Sequence, residues 1–111
     1  LYELLAISEG AKLMPELEKM FHSTDFEKRL QSAQALGQTG SQDSVALLGE
    51  ALFEGDERIR RLGAKGLGQL GLESGFKHLK RAVDKERNPE VKRAVIRSIG
   101  QIGTKDAFNT L

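Results

Sequence analysis

Three short stretches, ALGQTG at 35–40, GLGQLG at 66–71 and SIGQIG at 98–103, punctuate the chain at a nearly constant interval. Their central glycines are Gly37, Gly68 and Gly100, and their last are Gly40, Gly71 and Gly103, so the period is 31 and then 32 residues. This periodicity constrains the fold more than any other feature. It implies one supersecondary unit used several times, each burying its apolar face on the next unit.

The rest of the unit falls into the same register. Asp25, Asp56 and Asn88 coincide, as do Arg29, Arg60 and Lys92, then Ala33, Ala64 and Ile96, then Leu36, Leu67 and Ile99. Past the glycines come Val45, Phe76 and Phe108, then Leu48, Leu79 and Leu111, then Leu52 and Val83. Each unit reads as two helices. In NPEVKRAVIRSIG, Asn88 is the N-cap and Pro89 takes the first helical position, where its missing N–H is harmless. Val91, Ala94, Val95 and Ser98/Ile99 form one face at helical spacing. Gly100 and Gly103 are expected to end that helix, one of them in the left-handed conformation. Thr24 with Glu27 offers a capping box to the first full unit.

The register predicts first helices over 26–37, 57–68 and 89–100. It predicts second helices over 11–22, 42–54 and 73–86, with 105–111 beginning another. Leu5, Met14, Leu17 and Phe21 align with Leu36, Val45, Leu48 and Leu52, so residues 1–24 read as the tail of a preceding unit. The whole, 1–111, is then a single domain. It comprises a partial unit at 1–24, full units at 25–55 and 56–87, and a truncated unit at 88–111. The chain opens on Leu1 rather than methionine, and the register stops inside a unit at both ends. The expectation is a segment of a longer protein, with Met14, Phe21, Phe108 and Leu111 exposed where neighbouring units would sit.

The pattern D-x-x-[VI]-R, then A-L-G-x-x-G, then A/S-x-x-x-L-x-x-A-L resembles the HEAT-like repeats of the phycobilin-lyase type. The resemblance runs through essentially the whole chain. It implies an all-α fold, an α/α superhelix (HEAT-like solenoid) of three to four helix pairs, stacked right-handed with second helices on the concave side. Lys28 departs from the Val or Ile of the pattern, and Phe26 or Leu30 is expected to fill the gap. Leu72 departs by lacking the polar cap that Ser41 and Thr104 offer.

GLGQLG also fits G-x-G-x-x-G, the pattern that cradles a dinucleotide pyrophosphate. That chemistry needs a buried strand before the glycines and a helix opening after them, whose amides face the phosphates. The preceding GDERIRRLGAK is too charged for such a strand. Glu86, twenty residues beyond Gly66, stands where a ribose-binding acid could sit, but acids are common throughout the chain. Gly66, Gly68 and Gly71 are therefore expected at the C-terminal end of a helix, where carbonyl oxygens repel phosphate.

The remaining chemistry is sparse. The chain has no cysteine and two histidines, His22 and His78, so converging ligand sets for metal or acid–base work are not expected. HEAT-like deoxyhypusine hydroxylases hold iron with His-Glu pairs, and no such dipeptide occurs here. No catalytic, cofactor-binding or metal residue is assigned, and no enzyme activity is expected. No apolar run approaches the length of a membrane span.

A net charge of +1 hides an asymmetry. Residues 1–55 carry four Lys/Arg against nine Asp/Glu, and residues 56–111 carry thirteen against seven. The second helices repeat that gradient along one surface, from Glu16 and Glu18 through Leu47, Gly49 and Glu50 to Lys77, His78, Lys80 and Arg81. These positions avoid the apolar stripe and are expected to be exposed. Leu47 and Phe53 are the candidate apolar anchors for a partner, with Glu50, Lys77, His78, Lys80 and Arg81 around them. Asp25/Arg29 and Asp56/Arg60, spaced to meet on one helix face, read with Asn88 and Lys92 as a ladder of caps and hydrogen bonds.

The function expected is a protein-interaction scaffold, binding a protein or peptide, acidic in character, on the second-helix surface. Its setting is expected to be a larger bacterial protein in the cytoplasm, and the charge gradient would also favour head-to-tail self-association. The alternative is nucleic-acid binding through Lys77, Lys80, Arg81, Lys85, Arg87, Lys92, Arg93 and Arg97. Against it, Asp84, Glu86 and Glu90 interrupt the patch and aromatic interleaving is missing. A bilin lyase or isomerase activity follows from family analogy alone, since no residue constellation supports it.

Overall fold

The computed structural model describes residues 13–110, with side chains as far as 103. Helix α1 covers 13–21, α2 Phe26–Leu36, α3 Asp43–Ala51, α4 Glu57–Leu70, α5 Phe76–Lys85 and α6 Pro89–Thr110. A single 3-10 turn, Glu73–Gly75, leads into α5. Among the described residues there is no strand. Expectations for Leu5, and for the side chains of Thr104, Phe108 and Leu111, lie outside the described residues.

Local sequence starts the first helices as the register predicts. Asp25 accepts a hydrogen bond from the Glu27 amide at 3.0 Å, and Asp56 from the Arg58 amide at 2.8 Å. Asn88 accepts from the amides of Glu90 and Val91. Each satisfies donors that the first turn leaves unpaired. Thr24 is not the cap of α2: that place belongs to Asp25. The Asp56 side chain also takes the Arg58 guanidinium, which together with the Arg58 amide lowers its pKa below the usual carboxylate range.

Helix α4 ends at Gly71, whose φ of 63° lies in the left-handed region open to glycine, whereas α2 ends at a right-handed Gly37 and the turn after it reaches the left-handed region at Gly40, φ 70°. The second helices start less uniformly. Ser41 Oγ accepts from the Asp43 amide ahead of α3, whereas Leu72 has no side-chain cap to offer and a 3-10 turn stands there.

The first helices α2, α4 and α6 pack side by side, and α3 and α5 lie on the first helix of the following unit, α4 and α6. Leu17, Leu36, Leu48, Ile59, Leu67, Leu79 and Val95 are buried along this axis. Phe26 and Leu30 both pack partly against that core, filling the place Lys28 leaves.

Close approach of the first helices rests on small residues. A Cβ at Gly37 would stand 2.7 Å from Gly66 Cα. A Cβ at Gly68 would run into the side chains of Ser98 and Gln101. Gly63 is pressed against Ala51 and the Leu48 carbonyl, so the extra glycines of the middle unit admit a helix. Ser98 Oγ then donates to the Ala64 carbonyl at 2.7 Å, joining α6 to α4. One regularity went unread in the sequence. The glutamine after each central glycine, Gln69 or Gln101, reaches over the glycine of the unit before it, Gly37 or Gly68.

The end of the chain departs from expectation. Helix α6 runs unbroken through Gly100 and Gly103, so neither ends it and no second helix starts at 105. A helix-interior glycine costs about 1 kcal/mol relative to alanine, which disfavours the helix without forbidding it. Among the described residues nothing lies within 4 Å of a Cβ built at either glycine, so none of them forces the turn. Phe76, expected in the apolar stripe beside Val45, is 37% exposed, and Ile96 is 53% exposed where Ala33 and Ala64 are buried. At the other end Met14 and Phe21 are buried, contrary to the exposure expected of a terminal unit. The Ser44 hydroxyl contacts Met14 Sδ, and the His22 ring lies edge-on to Phe21.

Candidate functional site

The second-helix surface is built by α3, the turn after it, and α5. Of the residues assigned to it, Glu50, Phe53, Lys77, Lys80 and Arg81 are exposed, and His78 is half-buried. Leu47 is not: it is 7% exposed and belongs to the core. Helix α3 is covered by α4 along one side and by the 3-10 turn on another, so its buried arc is wider than the Val45, Leu48 and Leu52 stripe. Gly49 is buried for a related reason. It lies beneath the His78 ring, and a Cβ there would stand 2.7 Å from Nδ1. Burial lowers the His78 pKa, and the charges of Lys77 and Arg81 lower it further. His78 is thus a neutral packing piece at the seam between α3 and α5.

Phe53 follows the end of α3 and is 41% exposed. Arg81 places its guanidinium carbon 5.2 Å from the ring centroid, and Lys85 its ammonium 5.7 Å away. The two cations are one turn apart on α5, so both reach the same aromatic face region. A cleft of about 290 Å³ opens beside the ring, lined by Leu52, Ala82, Lys85, Arg87, Arg60 and Glu86 among others.

The inner wall of that cleft is a hydrogen-bonded ion pair. Arg60 Nε donates to Glu86 Oε2 at 2.8 Å and Nη2 to Oε1 at 3.3 Å. Its Nη1 donates to the carbonyl oxygens of Glu54 and Gly55. One unit earlier, Arg29 meets Glu54 at 3.1 Å. The expected i,i+4 pairs therefore do not form: Asp25 and Asp56 turn to helix amides, while Arg29 and Arg60 reach carboxylates at the far end of the second helix. Asn88 Nδ2 donates to Glu57 across units, and Lys92 is exposed with no carboxylate partner among the described residues. Glu50 pairs with His22 at 3.4 Å. Sequence reasoning missed Glu54 and Glu86, although they are 32 residues apart and so in register. The missing step was to pair them with Arg29 and Arg60 across the unit.

The repeated pair of helices, repeated caps and repeated Arg–Glu bridge set the terms for comparison. Residues 13–89 match the family described as HEAT repeats, which is well over half of the chain. The chain belongs to the HEAT-repeat family. A search of curated proteins found no match for it.

HEAT repeats are commonly protein-interaction scaffolds, with stacked helices that present extended surfaces. Among the described residues no group of three His, Asp or Glu side chains could hold a metal ion, and no helix is long and apolar enough to cross a membrane. GLGQLG ends a helix, with Gly71 as its left-handed cap. The basic residues of the nucleic-acid reading are split between surfaces: Arg81 and Lys85 lie on Phe53, while Arg93 and Arg97 face the cleft between α4 and α6.

Proposed function

We propose that this HEAT-repeat chain is a protein-interaction module whose partner lies across α3 and α5, anchored on Phe53. The observation that carries this reading is an exposed aromatic ring attended by two cations beside a cleft walled by the Arg60–Glu86 ion pair. Aromatic and arginine side chains on a pre-organised wall lose little freedom on binding, which is why they dominate interface energetics. Lys77, Lys80 and Arg81 add positive charge around the ring and favour a partner with acidic groups beside an apolar one. Leu47 serves this surface from beneath, as core.

The test is site-specific photo-crosslinking in cells that express the chain. A photoreactive residue at Lys80 is expected to capture a partner, and one at Lys28, on α2, is not. Phe53→Ala is expected to weaken the captured complex by about thirtyfold or more, as loss of a central aromatic anchor does. Undiminished binding by Phe53→Ala, with capture equal from both positions, would place the interface elsewhere.

A further inference from the structure

A second charged feature lies away from Phe53. Arg61 and Lys65 on α4 and Arg93 and Arg97 on α6 line a cleft of about 640 Å³ between the two helices. All four side chains are exposed, and none has an ion-pair or hydrogen-bond partner among the described residues. By contrast, Arg29, Arg58 and Arg60 each close on a carboxylate. The four cations also repeat: 61 and 93, like 65 and 97, are 32 residues apart.

Such an arrangement does not help the fold. Like charges at i and i+4 on one helix are destabilising, and here two such pairs face each other across adjacent helices. Glu90 lines one end of the cleft and closes on none of them within ion-pair distance. The charges are spaced about 6 Å along each helix, and helices in contact stand about 8–10 Å apart. That rectangle matches acidic side chains one helical turn apart.

We propose that the cleft between α4 and α6 is a second binding surface, taking an acidic protein segment between the two cationic rows. Two features favour a peptide over a polynucleotide. No aromatic side chain lines the cleft for base stacking. The charge also does not extend onto α2, which carries Leu30 and Gln34 at the equivalent positions, whereas phosphate-backbone binding draws on a longer basic track. The surface is independent of the α3–α5 interface, since it shares no residue with it.

Fluorescence anisotropy with a labelled polyglutamate peptide tests this. The wild-type chain is expected to bind it, and Arg61→Gln/Lys65→Gln/Arg93→Gln/Arg97→Gln to weaken binding about tenfold or more. Arg93→Lys/Arg97→Lys keeps the charge and is expected to stay near wild type, as is Lys28→Gln on α2, outside both surfaces. Circular dichroism checks that the quadruple variant stays helical. If it does not, Arg93→Gln/Arg97→Gln replaces it, with a smaller loss expected. Failure of the wild type to bind, or equal binding by the neutralised variants, would overturn the proposal. So would tighter wild-type binding to a labelled oligonucleotide that the same variants abolish, which would make the cleft a nucleic-acid site.

Discussion

Gly68 and Gly100 hold the same place in successive units but have opposite surroundings. Gly68 lies inside α4 beneath Ser98 and Gln101 of the next first helix, whereas a Cβ at Gly100 would meet nothing. The contrast extends to their neighbours. Ala64 is buried and its counterpart Ile96 is exposed. The interior unit also ends its first helix at a left-handed Gly71, while α6 passes straight through Gly103. The central glycine of the motif is thus a docking notch for the following helix. Its value depends on a neighbour being there, as expected where stability resides in interfaces between units.

The Arg–Glu bridges extend the comparison to the two full units and should give the largest effect. The Arg60 and Glu86 side chains are 20% and 5% exposed, against 25% and 32% for Arg29 and Glu54. Arg60→Ala would strand a buried carboxylate and is expected to cost about 3 kcal/mol. Arg29→Ala leaves a partner that water can reach, and about 0.5 kcal/mol is expected. Urea denaturation of both variants measures the difference, and equal losses would remove the distinction between the two units.

The glycines themselves come next. Gly37→Ala drives a methyl group against the Gly66 backbone and is expected to destabilise by about 2 kcal/mol. Gly100→Ala, in an open helical position, is expected to stabilise by about 1 kcal/mol. Opposite signs at equivalent positions would sharpen the notch interpretation. Destabilisation at both would show that the motif serves its own helix.

The smallest effect concerns the seam between α3 and α5. His78 has its pKa lowered below 6.5 by burial over Gly49 and by Lys77 and Arg81. As pH falls through 6.5 the unfolded chain gains a proton there that the folded chain still refuses. The contribution of this group is therefore present above that pH and declines below it, until the lowered folded pKa is reached. Melting temperatures between neutral and mildly acidic pH should fall more for wild type than for His78→Gln. Parallel curves would mean that the seam does not sense the proton.

Much of this was legible in residue order alone. The caps at Asp25, Asp56 and Asn88 act on amides two or three positions away, so their chemistry is contained in a few consecutive residues. The candidate surface was read less completely. Phe53, Lys77, Lys80 and Arg81 are exposed as their register implies, but Leu47 was misplaced. A single-helix stripe does not reveal how many neighbours cover the helix. Arg29 and Arg60 were read as part of a ladder of caps and hydrogen bonds, but their carboxylate partners, 25 or 26 residues further on, were not named.

By itself the sequence determined the period, the pairing of helices within it and where each first helix begins, because these depend on contacts within a turn or on a pattern counted along the chain. Tertiary structure decided which glycine becomes a notch, which turn is realised and which face is free. Gly37, Gly68 and Gly100 are the same residue in the same register, and they differ in the helix packed against them. That helix comes from the next unit, about thirty residues away, and its burial of apolar surface offsets what glycine and a tight turn cost locally. Among the described residues no such helix lies beside Gly100 and Gly103, and α6 continues its hydrogen bonding through both.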